Sequence, residues 1–205
     1  MTEESAGVFR LSGDDATEVT DILCESFFDY PVMRFILGGD AADYRKHLKT
    51  LIHFFVMARV LRGEDVIGAG SKGGLAAAAL VSRADGRVSP PELCVLREQL
   101  WAELGAEARA RYEAFGTACA PFQVEAPHVH LNMIGVRRKA QGEGLGRALI
   151  EHVHRLSRED PESVGVTLST EDEANLPLYE HFGYEIVGQA EVAARFTTWS
   201  FFRPD

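Results

Sequence analysis

Between residues 134 and 149 the chain reads IGVRRKAQGEGLGRAL. An apolar run, Leu131-Asn132-Met133-Ile134-Gly135-Val136, breaks into a basic segment, Arg137-Arg138-Lys139. Gln141-Gly142-Glu143-Gly144-Leu145-Gly146 follows, and a helical spacing of apolar residues starts at once with Leu145, Leu149, Ile150 and Val153. Strand, glycine-rich turn and helix in this order make an anion site. Glycines keep Cβ atoms out of the way of a ligand. The unpaired N–H groups of the first helical turn, at the positive end of the helix dipole, hold phosphate. The neighbouring arginines and lysine add positive charge to a chain whose net charge is -10.

Two familiar phosphate loops are excluded. A dinucleotide fingerprint needs G-x-G-x-x-G, and glycines at 142, 144 and 146 do not give it. A P-loop ends in Gly-Lys-Ser/Thr, whereas this stretch ends in Gly-Arg-Ala. A phosphate loop of another kind and a ligand-free glycine turn both remain open on this stretch alone.

The rest of the chain supports one mixed α/β domain over residues 1–205. A short strand at 8–11 leads through Ser12-Gly13-Asp14-Asp15, which offers N-cap chemistry, into a helix carrying Ala16, Val19, Ile22, Leu23, Ser26 and Phe27. Asp29-Tyr30-Pro31 interrupts it, since the residue before proline is driven out of the α region. A helical turn at 32–37, a break at 38–40 and a long helix over 41–61 follow, the last with Tyr44, Leu48, Leu51, Ile52, Phe55 and Val56 as its apolar stripe. A hairpin is expected at 66–81 around a turn at 71–74, although Ala76 to Ala79 favour helix by propensity. A helical region is expected to start at Ser89-Pro90-Pro91 and to carry Leu93, Leu96, Leu100, Trp101 and Leu104; Gly105 breaks it, and Ala106 to Phe115 continues helically. Strands at 129–136 and 164–168, a helix at 175–182 and strands at 183–187 and 194–202 complete the reading.

Acidity argues against nucleic acid and anionic membranes as partners. No stretch of about 18 apolar residues suggests a membrane span, and MTEESAGVFRL lacks the features of a secretory signal. A cytoplasmic location is therefore expected. Cys24, Cys94 and Cys119 form no C-x-x-C pair and are expected to be buried thiols; no metal is expected, because the His128/His130 pair has no evident third ligand.

A second motif lies downstream in LSTEDEANLPLYEHFGYEIVG, residues 168–188. Asn175, Tyr179 four residues on, and the Gly183-Tyr184 pair follow the glycine loop in register. Together with Gln141 to Gly146, which fits Q/R-x-x-G-x-G/A, this pattern resembles the GNAT superfamily of acyl-CoA-dependent N-acetyltransferases. HVHLNMIGV, QGEGLG and NLPLYEHFGY are similar to puromycin N-acetyltransferase-like members, over residues 128–205. One departure is Ser169, where those members often carry a glutamate after the strand leucine.

The resemblance implies a twisted, mostly antiparallel central sheet flanked by helices on both faces. It implies acetyl-CoA as co-substrate. The backbone of Ile134, Gly135 and Val136 is expected to pair with the pantetheine arm. Gln141, Gly142, Glu143, Gly144, Leu145, Gly146 and Arg147 are expected to hold the pyrophosphate, with Asn175 also on the cofactor side. Tyr179 is expected to act on the leaving thiolate. His130 is the candidate base, with His128 on the same strand face as Asn132 and Ile134 by alternation, and Tyr30 a candidate wall of the acceptor pocket. The expected reaction is acetyl transfer to a primary amine of a small, antibiotic-like molecule, by a monomer or homodimer. Acylation of a protein or peptide, and a non-catalytic acyl-CoA sensor, are the alternatives.

Overall fold

A computed structural model describes residues 7–38, 43–71, 74–83 and 89–205. The expected break at 38–40, the first residues of the 41–61 helix and the centre of the 71–74 turn lie outside the described residues in part. In chain order the elements are β1 (Gly7–Arg10), α1 (Ala16–Ser26), α2 (Pro31–Leu37), α3 (Tyr44–Arg62), β2 (Val66–Ser71), β3 (Gly74–Arg83), α4 (Pro91–Leu104), α5 (Ala106–Cys119), β4 (Val129–Val136), α6 (Leu145–Arg158), β5 (Gly165–Thr170), α7 (Leu176–His181), β6 (Glu185–Val192) and β7 (Phe196–Pro204). The alanine run of β3 is a strand despite its helical propensity. Its residues sit between β2 and β4 and are buried on both faces, so tertiary pairing overrides a weak local preference.

The strands form a seven-stranded sheet in the order β1-β2-β3-β4-β5-β7-β6. Every neighbouring pair is antiparallel except β4 and β5. Two cores cover its faces. On one side α1, α2 and α3 pack with Ala78, Leu80 and Met133; Leu48, Leu51, Ile52 and Val56 of α3 are buried there, each contributing about 2 kcal/mol. Helices α4 and α5 close over this side, with Trp101 against Tyr112. On the other side α6 presents Leu145, Leu149, Ile150 and Val153 to Ala77, Ala79, Leu131 and Leu168. No helix among the described residues is long and apolar enough to cross a membrane. Cys94 is exposed and the other two thiols are half-buried, against the expectation of burial for all.

One irregularity decides how the site is built. Leu80 pairs with Met133 but Val81 pairs with Leu131, so Asn132 is an extra residue in β4. A β-bulge of this kind re-aims the side chains beyond it. Val129 and Leu131 point to the α6 core, whereas Met133 points to the α1/α3 core. His130 therefore stands on the face opposite Ile134. The common face expected for His128, His130, Asn132 and Ile134 does not form, because strict alternation fails at the bulge.

Candidate active site

Strands β4 and β5 pair only at Val129–Val166, His130–Thr167 and Leu131–Leu168. Beyond that point β4 runs on beside β3 to Val136, and β5 runs on beside β7 to Thr170. The two parallel strands part company, and among the described residues the β4 backbone from 132 to 136 has no strand on its β5 side. A cavity of about 1170 Å³ occupies this gap. Ile134, Gly135 and Val136 line it. The glycine at 135 has a packing reason of its own: a Cβ there would lie 2.6 Å from Ser26 Oγ, so only glycine lets α1 approach β4 this closely.

At one end of the gap lies the glycine loop. Gly142 and Gly144 have φ of +84° and +78°, and a Cβ added to either would meet nothing within 4 Å. Glycine is thus required by backbone conformation, and the space in front of both residues is open. No side chain caps the start of α6 at Gly144. The amides of its first turn stay directed at the loop, as an anion-binding helix start requires. Gly146 differs, because its added Cβ would touch Val136 at an ordinary 3.7 Å. A phosphate-bearing ligand fits this loop. Gln141, Gly142, Glu143, Gly144 and Arg147 are exposed around it, and Leu145 is buried beneath it. Part of the basic segment is committed elsewhere. Arg137 pairs with Glu18 and Glu25, each at 3.7 Å, and the Arg138 amide donates to Glu25 at 2.7 Å.

Tyr179 lies across the gap from β4. Its ring packs against Tyr184 and Phe201 at 5.9 and 5.6 Å between centroids, and the residue is 7% exposed. Its hydroxyl makes no hydrogen bond to the described residues, and Tyr179 lines the cavity. Burial, then the charge of Glu171, pushes this hydroxyl up to about 12. Leu178 is 47% exposed, so Tyr179 itself is the buried anchor of the short α7 helix. Asn175 also lines the cavity and donates from Nδ2 to Thr170 Oγ1 at 3.2 Å. The same Thr170 hydroxyl meets the Tyr30 hydroxyl at 2.8 Å, and Tyr30 in turn accepts the Glu171 amide at 3.0 Å. Tyr30 thus ties the start of α2 to the end of β5 while lining the cavity.

The cavity continues through the gap to the α1/α3 face. His128 holds Ala126 carbonyl at 2.8 Å through Nδ1, and His130 holds Thr167 Oγ1 at 2.8 Å through Nδ1. Burial, followed by the nearby His128 and Arg59, pushes His130 down to about 4. Arg59 reaches the same space from α3, donating to Asn132 Oδ1 at 3.1 Å and to Glu64 at 3.1 Å. The bulge thus gives the Asn132 amide a partner on α3. Glu171, overlooked in the acidic run Glu171-Asp172-Glu173, is 8% exposed and accepts from Thr198 Oγ1 at 2.8 Å. Burial pushes its carboxyl up to about 7, against the hydrogen bonds from Thr198 and Tyr30 that lower it. Its only sequence signal was a position directly after a strand that ends at the gap. No cluster of three or more His, Cys, Asp or Glu placed to hold a metal occurs among the described residues.

A sheet splayed between its two parallel strands, with an uncapped glycine loop at one mouth, forms a cleft suited to an extended, phosphate-bearing ligand. Comparison with known proteins is more specific. Residues 93–186 match the acetyltransferase (GNAT) domain family. An uncharacterized N-acetyltransferase of Schizosaccharomyces pombe is 26% identical over 186 residues, which cover 85% of this chain and 72% of that protein. Among solved structures, a histone acetyltransferase HPA2 and related acetyltransferase from Corynebacterium glutamicum superposes with a TM-score of 0.72 at 20% identity, covering 98% of this chain and 97% of that one. A polyamine N-acetyltransferase of Drosophila melanogaster superposes with a TM-score of 0.63 at 15% identity, covering 98% of this chain and 100% of that one. The family match over residues 93–186 and the N-acetyltransferase relative support a GNAT acetyltransferase domain, and the solved structures share its fold.

Proposed function

We propose that the protein transfers the acetyl group of acetyl-CoA to the primary amine of a small molecule. The observation that carries this reading is the β4–β5 gap, with the glycine loop at one mouth and Tyr179 in its lining. Gln141 to Arg147 would hold the pyrophosphate through backbone amides, so the negative charge of Glu143 is no obstacle. The β4 edge at Ile134, Gly135 and Val136 would take the pantetheine arm by strand addition. Acetyl-CoA supplies the acetyl group as a thioester; the overall transfer forms one C–N bond, breaks one C–S bond and releases one proton.

Tyr179 serves the leaving sulfur. A hydroxyl at about 12, against a thiol near 8.5, makes complete proton transfer uphill by roughly 5 kcal/mol. Its part is therefore a hydrogen bond that strengthens as negative charge develops on sulfur. His130 suits the proton of the incoming amine poorly. Taking it from an ammonium of pKa about 10 onto an imidazole at about 4 is uphill by roughly 8 kcal/mol. We assign His130 the orientation of Thr167 beside the gap, and the proton a different destination.

The small-amine acceptor draws support from the polyamine N-acetyltransferase among the fold relatives. The histone acetyltransferase likeness supports the protein-substrate alternative equally by fold, and an antibiotic-like acceptor rests on sequence likeness alone. The test is acetyl-CoA titration by calorimetry together with thiol release on a panel of small amines and lysine peptides. Saturable binding with thiol release dependent on a small amine is expected. Binding without turnover on any amine leaves an acyl-CoA sensor, and no binding with the loop intact removes both readings.

A further inference from the structure

The α1/α3 side of the cavity is walled by rings: Phe27, Tyr30, Phe55, Tyr112, Phe115 and Phe122. Phe122 is seated there by Gly188 of β6, where an added Cβ would lie 2.0 Å from the ring. Two carboxylates reach the cavity. Asp172 is exposed and accepts the Ala174 amide at 3.0 Å, capping a turn. Glu171 is buried, fixed through its amide by Tyr30 and through its carboxylate by Thr198. Glu171 takes part in none of the ion pairs formed by the described residues. A carboxylate in apolar surroundings is costly to ionise without a partner. The one arginine on this side of the cavity, Arg59, is balanced by Glu64 at 3.1 Å.

Resting on the acetyl-transfer reading above, we propose that the acceptor is a primary amine carried on an aromatic or similarly apolar body, whose ammonium docks on the Glu171 carboxylate and gives up its proton there. The rings supply area and cation–π attraction for such a molecule. A polyamine would need a second buried anion for its second charge, and the other carboxylate at the cavity is exposed and already capping.

The proton balance is direct. The carboxylate accepts one proton from R–NH3+, leaving R–NH2, whose lone pair forms the C–N bond as the C–S bond breaks. The proton shed by the new amide nitrogen goes to the sulfur, beside the Tyr179 hydroxyl, and the Glu171 proton leaves to water. A carboxyl at about 7 rather than the ordinary 4.5 makes the first transfer about 300 times easier. The titratable groups around Glu171 do not compete: Tyr30, Tyr179 and Cys119 are all pushed upward by burial and stay neutral, His130 is neutral at pH 7, and Arg59 is paired with Glu64.

The test uses the CoA-loaded full chain and three probes in calorimetry: phenethylamine, spermidine and a lysine-containing peptide. Phenethylamine should bind tightest. Glu171→Gln, which keeps an acceptor for the Thr198 hydroxyl, should weaken it about tenfold to a hundredfold with CoA affinity unchanged. Phe122→Ala should weaken phenethylamine more than spermidine, which tests the wall without touching the acid. In turnover, kcat/KM of the wild type should rise with pH through about 7, and this limb should vanish in Glu171→Gln. Tighter binding of spermidine or peptide, or unchanged phenethylamine binding in Glu171→Gln, overturns the assignment. Glu171-dependent binding of phenethylamine with no acetyl transfer would instead sink the transferase reading and leave the amine site standing.

Discussion

The cavity has two halves made of different material. The half beside α6 is built from backbone: an open strand edge from 132 to 136, two glycines at positive φ and a helix start that no side chain caps. The half beside α1, α3 and α5 is built from side chains: rings from four segments of the chain, one buried acid, and a histidine turned to that face by a bulge. A backbone site recognises what is constant in a ligand, which under the proposed function is phosphate and an extended amide chain. A side-chain site can differ from one relative to the next at no cost to the sheet. Under the proposed function, the first half would set the reaction and the second the acceptor.

Replacing Tyr179, where the halves meet, should give the largest effect. Tyr179→Phe removes one hydroxyl and leaves the ring packed on Tyr184 and Phe201. We expect kcat to fall by about a hundredfold to a thousandfold, with acetyl-CoA affinity and Tm unchanged. Steady-state kinetics and calorimetry on the same preparation decide it. An unchanged kcat would return Tyr179 to the core and move leaving-group assistance elsewhere.

Next comes the stability signature of the buried acid. The folded-state pKa of Glu171 is raised from 4.5 to about 7. The fold therefore prefers the neutral carboxyl. Its contribution is fully present below pH 4.5 and is lost as pH rises through about 7, a loss of roughly 3 kcal/mol above that. Glu171→Gln should be more stable than the wild type in urea at pH 8, and nearly equal to it at pH 5. Parallel pH dependence in the two proteins would mean the carboxylate is better solvated than its burial implies.

These two residues also show what the sequence makes legible. Tyr179 is marked by its spacing from Asn175 and its distance from the glycine loop, which is local information. The strand at 129–136, the loop and the helix after it were readable for the same reason, since each is specified within a few residues. Glu171 and Arg59 gave no such signal. Glu171 sits in an acidic run that looks solvated, and its burial depends on Tyr30, 141 residues away, and on Thr198. The bulge at Asn132 is invisible in a strand of regular apolar alternation, because it is imposed by pairing with β3. It moved His130 to the acceptor face and gave Asn132 a partner on α3. Of the wall, only Tyr30 was readable; Phe55, Tyr112 and Phe115 look like the apolar stripes of core helices until α5 is folded over the gap.

A smaller effect separates packing glycines from ligand glycines within the backbone half. Gly135→Ala places a methyl 2.6 Å from Ser26 Oγ and 2.9 Å from Ser26 Cβ. Helix α1 must shift, at a cost of about 1–3 kcal/mol, seen as a lower Tm. Adding Ser26→Gly should restore most of it. If the double variant is no better than the single one, the close approach of α1 to β4 is not what the glycine serves.

Gly146→Ala should have the smallest effect and is the sharpest of these tests. The residue lies in the first turn of α6, its φ is not in the left-handed region, and the new methyl would sit 3.7 Å from a Val136 methyl. Alanine also favours a helix over glycine, by up to about 1 kcal/mol. On protein grounds alone the variant should be as stable as the wild type or slightly more so. If the amides of this turn face a pyrophosphate, the same methyl obstructs the ligand, and acetyl-CoA affinity should fall about tenfold. Raised KM for acetyl-CoA with unchanged amine binding would place the loss in the backbone half alone. An alanine that stabilises the fold and leaves acetyl-CoA affinity intact would show that the ligand lies further from the helix start, with Gly142 and Gly144 needed for chain conformation rather than for access.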